Sequence, residues 1–249
     1  MKKAFLCVIC FAAMFGIAVP AQAFELGVRG YYWLPGLTGD LKVDAAGVTG
    51  TTIDMVSGLG MEDESYPVIE AFIGVGGHHL SLSRYRAEYS GTKKLTEEIK
   101  FMGETYNVAE TISSSLEYDV SDIMYRYDLL DLENVLAGFS LGVVGRVKTF
   151  EGDVTIKSKT ASFSTPIPMV GLNLHVGILA GLLEARVLAT GIGYSGGSII
   201  DGQADISFTP FPFVDVHGGY RTFTIDADAD DVEFNYDTSG PYVAVTIGF

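Results

Sequence analysis

His79-Leu80-Ser81 places a histidine and a serine two residues apart, and in an extended strand that spacing puts both side chains on one face. An imidazole base beside a hydroxyl is the minimum for nucleophilic hydrolysis, with the His taking the proton as the Ser attacks. No Asn or acidic residue is evident nearby to orient the imidazole, so a polar start to a strand is preferred over a catalytic pair. Asp226-Ala-Asp-Ala-Asp-Asp231 offers carboxylates at alternate positions, with Asp226, Asp228 and Asp230 as the metal ligands to consider. A calcium loop of this kind needs Gly at its sixth position and Glu at its twelfth. Those positions hold Asp231 and Asp237, so the stretch is expected to be a solvated hairpin tip that holds divalent cations weakly at most. Glu62-Asp63-Glu64 is read the same way, and no cofactor is called for.

The remaining charges share a setting. Glu25, Arg29, Glu70, Arg84, Arg86, Arg126, Arg146, Lys148, Glu184, Arg186, Asp215 and Arg221 stand in runs whose apolar residues recur at every second position. Residues 24–34 set Phe24, Leu26, Val28 and Tyr32 against Glu25, Arg29 and Tyr31. Residues 66–76 and 79–89 flank Gly76-Gly77, a hairpin signal. Further strands are read at 116–128, 135–150, 166–178, 183–194, 198–208, 213–225 and 232–249. In two of them the apolar parity changes. Leu80 and Leu82 oppose Tyr85, Ala87 and Tyr89, and Leu116, Tyr118 and Val120 oppose Ile123, Tyr125 and Tyr127. A β-bulge is expected at each change, near Ser83 or Arg84 in the first, and it would turn Arg84, Arg86 and Glu88 inward. Residues 35–65 are the first long loop, and 93–101 with 104–115 a strand pair joined at Met102-Gly103. Thr209-Pro210-Phe211-Pro212 is read as a turn.

The last stretch, Gly240-Pro-Tyr-Val-Ala-Val-Thr-Ile-Gly-Phe249, carries Val243, Val245, Ile247 and Phe249 on one face and small or mildly polar residues on the other. It resembles the C-terminal strand of bacterial outer-membrane β-barrels, which the barrel-assembly machinery recognises in that family. The resemblance implies an all-β fold, a single antiparallel transmembrane β-barrel with both termini periplasmic, in contact with outer-membrane lipid and lipopolysaccharide. Phe249 would then be part of the assembly signal. Ten strands fit best, with eight or twelve as alternatives according to how residues 35–65 and 93–115 are treated. In that order Phe24, Tyr127, Phe208, Phe211, Phe213 and Phe249 fall at the periplasmic rim. Tyr32, Trp33, Tyr66, Tyr89 and Tyr194 fall at the outer rim, giving two aromatic girdles. The His79 and Ser81 pair then sits beside a periplasmic turn, and the wider motif of lipid A deacylases is absent.

Composition agrees with a barrel. Lys2 and Lys3, an apolar run over residues 5–19 and Ala21-Gln22-Ala23 are expected to be a cleaved signal peptide, residues 1–23, leaving residues 24–249 as the barrel domain. Both cysteines, Cys7 and Cys10, leave with it. The formal charge of −15 becomes −15 − 2 = −17, which excludes nucleic acid as a partner. Mean hydropathy is +0.29, yet residues 24–249 contain no run of 18 uninterrupted apolar residues. Thirty glycines and thirteen tyrosines suit narrow turns and membrane rims. Mixed charges inside so narrow a barrel are expected to pair and largely fill it. The function expected is a structural, non-enzymatic outer-membrane barrel. A narrow diffusion channel and a lipid-modifying hydrolase are the alternatives.

Overall fold

Runs that alternate between apolar and polar residues have to satisfy two environments at once, and a sheet closed on itself does so without leaving an edge. The computed structural model describes residues 24–44, 47–132, 138–178, 182–229 and 232–249. Its strands are β1 (Phe24–Trp33), β2 (Gly36–Val43), β3 (Ile53–Asp54), β4 (Tyr66–Val75), β5 (His78–Lys94), β6 (Ile99–Phe101) and β7 (Glu104–Tyr106). They continue as β8 (Thr111–Leu132), β9 (Phe139–Ile156), β10 (Lys159–Ile178), β11 (Leu183–Tyr194), β12 (Gly197–Phe211), β13 (Val214–Ala229) and β14 (Val232–Gly248). Ten of them, β1-β4-β5-β8-β9-β10-β11-β12-β13-β14, pair in that order, and β14 returns to β1 to close an antiparallel barrel.

One rim, the turn end, carries Phe24, Phe249 and tight connections such as Gly76-Gly77, where Gly76 has φ 58°. The opposite rim, the loop end, carries the two longest connections, residues 34–65 and 95–110, beside two-residue turns such as Lys157-Ser158. Residues 35–65 are partly wall: β2 continues the line of β1 beyond Leu34-Pro35, and β14 pairs with β1 through residues 242–248 and with β2 through residues 232–239. The β6–β7 hairpin turns at Met102 and Gly103, both at positive φ, and folds across the loop end. Met102 N donates to the Val43 carbonyl at the tip of β2, and the Tyr106 hydroxyl donates to the Ile156 carbonyl at the tip of β9. Only residues 99–106 form this separate hairpin; Lys93 and Lys94 still pair with β8.

The two halves of the barrel have opposite insides and outsides. Towards the turn end Leu26, Val28, Ile69, Ile73, Leu80, Leu82, Ile123, Val170, Leu172 and Val245 face out, and charged residues face in. Towards the loop end the exterior is charged and the interior is apolar and aromatic. There Trp33, Tyr66, Tyr85, Tyr89, Tyr118, Phe150, Phe223 and Tyr236 are all buried. Phe150 stacks on Phe223 at 5.3 Å and Tyr66 on Tyr85 at 5.3 Å. Burial pushes the hydroxyls of Tyr118 and Tyr236 up, so both stay protonated and share a 2.5 Å hydrogen bond.

Several sequence expectations change on this account. β5 runs in unbroken register with β4 and β8, and β8 with β9 up to Asp128, so neither expected bulge exists. The strands keep their phase while their outward side chains switch from apolar to charged. Arg84 and Arg86 consequently face outward, Arg84 with 73% of its side chain exposed, and pair with Asp119 and Glu117 on β8. Trp33, Tyr66 and Tyr89 belong to the interior and not to a girdle: Trp33 is 0% exposed, and its Nε1 donates to the Gly240 carbonyl. Tyr32 and Tyr194 do face out, as do Phe24, Tyr127, Phe208, Phe211, Phe213 and Phe249 at the turn end. β12 extends through Phe211 with a register shift that accommodates Pro210, which moves the turn to Pro212-Phe213. Asp226 and Asp228 lie on β13 and not in a loop. Asp230, Asp231, Val135, Ala137 and residues 1–23 lie outside the described residues.

Truncating the aromatic interior should cost far more than trimming the lipid face. Phe223→Ala is expected to lower unfolding stability in detergent by about 3–5 kcal/mol, and Leu172→Ala, whose cavity lipid or detergent can fill, by much less. Denaturant titration of the two variants measures the difference.

Candidate functional site

Halfway along the barrel, inward side chains from four strands form a layer of charge. Arg146 and Lys148 on β9 reach Asp122 on β8 and Asp201 on β12, and Arg221 on β13 joins them. Arg221 grips Asp201 with two nitrogens, at 2.8 and 3.2 Å, and donates to the Tyr31 hydroxyl of β1 at 2.6 Å. Arg146 donates to Asp201 at 3.1 Å and to the Thr190 hydroxyl at 3.1 Å, and also binds Asp122. Three cations against two carboxylates leave a surplus of 3 − 2 = +1 in a layer whose side chains are at most 8% exposed. Aromatic faces lie against that surplus: Arg221 sits 4.8 Å from the Trp33 ring centre and Lys148 5.0 Å from that of Phe223. Among the described residues, the charge layer and the aromatic interior next to it are buried across this section of the barrel.

Below the layer a cavity of about 650 Å³ extends towards the turn end. Glu25, Arg29, Arg126, Glu184, Arg186 and Asp215 line it, together with Asp205, His175, His217 and Thr246. Arg186 donates to Asp205 at 2.8 Å, His175 faces Glu184 at 3.1 Å, and Arg29 lies 3.8 Å from Glu70. Asp215 accepts from the Thr209 hydroxyl. The structure thus brings ten of the twelve charges singled out in the sequence into the interior, Arg84 and Arg86 being the exceptions. Sequence reasoning missed Asp122 entirely. Asp201, Asp205 and His217 are likewise outside the twelve, although each stands opposite the apolar parity of its own strand.

His79 and Ser81 also face inward, against a smaller space of about 120 Å³. Both imidazole nitrogens of His79 are engaged by carboxylates, Nδ1 by Glu25 at 3.2 Å and Nε2 by Asp128 at 2.8 Å. Carboxylates accept only, so a ring held this way carries hydrogen on both nitrogens and has no lone pair for the serine proton. The pair is therefore structural. Among the described residues no group of three His, Cys, Asp or Glu side chains is placed to hold a metal ion.

A closed ring of ten antiparallel strands, apolar outside and charged within over one half, is the fold of bacterial outer-membrane β-barrels. No protein-family model matches the chain, and neither does any curated protein. Among solved structures, the outer-membrane protease OmpT from Escherichia coli is similar with a TM-score of 0.54 at 9% identity, over 90% of this chain and 97% of that one. Neisserial surface protein A is similar at 12% identity over 92% of this chain and 100% of its own, with a TM-score of 0.40. Ail, the attachment invasion locus protein of Yersinia pestis, is similar at 10% identity over 91% of this chain and 99% of its own, with a TM-score of 0.34. At these identities the likeness speaks to fold alone, and only the first is close enough to carry it.

The layer's interdependence is open to measurement. Asp201→Asn leaves three cations facing one carboxylate and is expected to cost about 3–5 kcal/mol, whereas Glu25→Gln at the cavity mouth should cost under about 1 kcal/mol. Adding Lys148→Met to Asp201→Asn should recover part of the loss, as read by denaturant unfolding of the single and double variants.

Proposed function

We propose that this chain is an integral outer-membrane barrel with an occluded lumen and a structural role in the envelope, its termini on the periplasmic side. The observation that carries this is the buried charge layer backed by stacked aromatics, with the β6–β7 hairpin folded over the loop end beyond them. A narrow channel needs a continuous wet path lined by weakly held charges, and here the charges hold one another. The apolar belt supports contact with outer-membrane lipid, and the charged exterior towards the loop end, including Arg84 and Arg86, supports contact with lipopolysaccharide headgroups. The signal sequence expected in residues 1–23 supports export. At 9% identity the likeness to a protease brings no activity with it.

Purified protein inserted into planar bilayers should give a quiet baseline under voltage, and regular conductance steps would overturn the occluded lumen. We also propose that Phe249, outward on the closing strand and 6.2 Å from Phe24, engages the barrel-assembly machinery. Its deletion should then reduce insertion in cells well beyond the about 1.5–3 kcal/mol that a buried Phe contributes to refolded protein. Equal losses in cells and in detergent would leave Phe249 as an anchor only.

A further inference from the structure

We propose that the turn-end cavity is a hydrolytic site in which Thr246 attacks a short-chain carboxylic ester, with His217 as its base and Asp205 orienting that base. The three residues stand on successive strands, β12, β13 and β14, and all line the same cavity. His217 Nδ1 lies 3.2 Å from Asp205 Oδ1, and its Nε2 lies 2.8 Å from Thr246 Oγ1. Asp205 accepts only, so the imidazole hydrogen belongs on Nδ1. Thr246 Oγ1 already accepts from Arg29 Nε at 3.2 Å, which leaves the threonine's own hydrogen to point at Nε2. With its hydrogen on Nδ1, the ring has the Nε2 lone pair aimed at a hydroxyl and its other nitrogen tied to a carboxylate, the arrangement by which an alcohol is made nucleophilic.

The surroundings fit that role. Asp205 is fixed by Arg186 at 2.8 Å and by the Tyr242 hydroxyl at 2.7 Å, so the orienting group is itself held in place. The Arg29 guanidinium lies beside the attacking oxygen and favours the alkoxide, close to where negative charge grows on a tetrahedral adduct. An apolar shelf adjoins the threonine: at Gly248, the next inward position of β14, an added Cβ would lie 3.3 Å from the Phe72 ring. At Gly27 it would lie 2.4 Å from that ring. The charge layer shuts the inner end of the cavity, which limits the acyl chain to a short one.

Thr246 Oγ bonds to the ester carbonyl carbon as its proton passes to His217 Nε2. The adduct collapses with cleavage of the carbon–oxygen bond to the alcohol, which takes that proton from Nε2. Water then attacks the acyl-threonine by the same proton route, releasing the carboxylic acid and restoring the hydroxyl.

Full-length protein refolded in detergent should hydrolyse p-nitrophenyl butyrate and be labelled by a fluorophosphonate probe at Thr246, located by peptide mass spectrometry. Thr246→Val, which keeps the side chain's shape, and His217→Gln should each lower turnover by about 100-fold or more. Thr246→Ser keeps the hydroxyl and should retain activity, and Ser81→Ala should match the wild type. Asp205→Asn should lower kcat with KM unchanged, because the amide no longer fixes the tautomer; a change in KM alone would overturn its orienting role. Thermal unfolding establishes that each variant is folded. Turnover in folded Thr246→Val equal to that of the wild type, or probe label on another residue, overturns the site.

Discussion

Burying five ionised side chains across one section of a narrow barrel constrains everything above and below them. Each charge loses its water, and none is tolerable alone, so Asp122, Arg146, Lys148, Asp201 and Arg221 have to be present together and in register. That register comes from four different strands, which ties the β8–β9 hairpin to β12 and β13 across the lumen. The surplus positive charge in turn demands electron-rich neighbours, and Trp33, Tyr85, Phe223 and the Tyr31 hydroxyl provide them. The aromatic interior is therefore a second consequence of the charge layer as well as a hydrophobic core in its own right.

Around this layer the barrel behaves as two proteins in series. Over the turn-end half it has the pattern of a membrane barrel, with apolar residues outside and polar groups inside. Over the loop-end half it is an ordinary soluble sheet, with water outside and a packed core within. A strand that crosses from one regime to the other need not change its phase, because the same parity carries polar residues inward below and apolar residues inward above. β5 does this between Leu82 and Arg84, and β8 between Ser121 and Ile123.

This explains what was readable from the chain. Strand number, closure and the turn at Gly76-Gly77 follow from period-two alternation, which local chemistry sets. Neither parity change is a bulge, because one phase serves both halves once the exterior changes from apolar to charged along the strand. Trp33 and Tyr66 had a usable signal: they share parity with Tyr31 and Glu70, both inward, and parity outranks a residue type's preference for rims. The cavity was harder. His79 and Ser81 are neighbours by sequence, whereas Asp205, His217 and Thr246 are neighbours only through the register of three strands, and no single strand's pattern encodes how it slides against the next.

The closing strand has one more consequence, in time and not in energy. β14 pairs with β13 along its whole length and with both β1 and β2, so the ring is sealed between segments some 200 residues apart. Contacts that distant in sequence form late. Until they do, Arg29 lacks the Thr246 hydroxyl and Trp33 lacks the Gly240 carbonyl. Opening the finished barrel means parting the same seam and hydrating those groups in one step, so its persistence is set by a rate of opening as much as by a difference in stability.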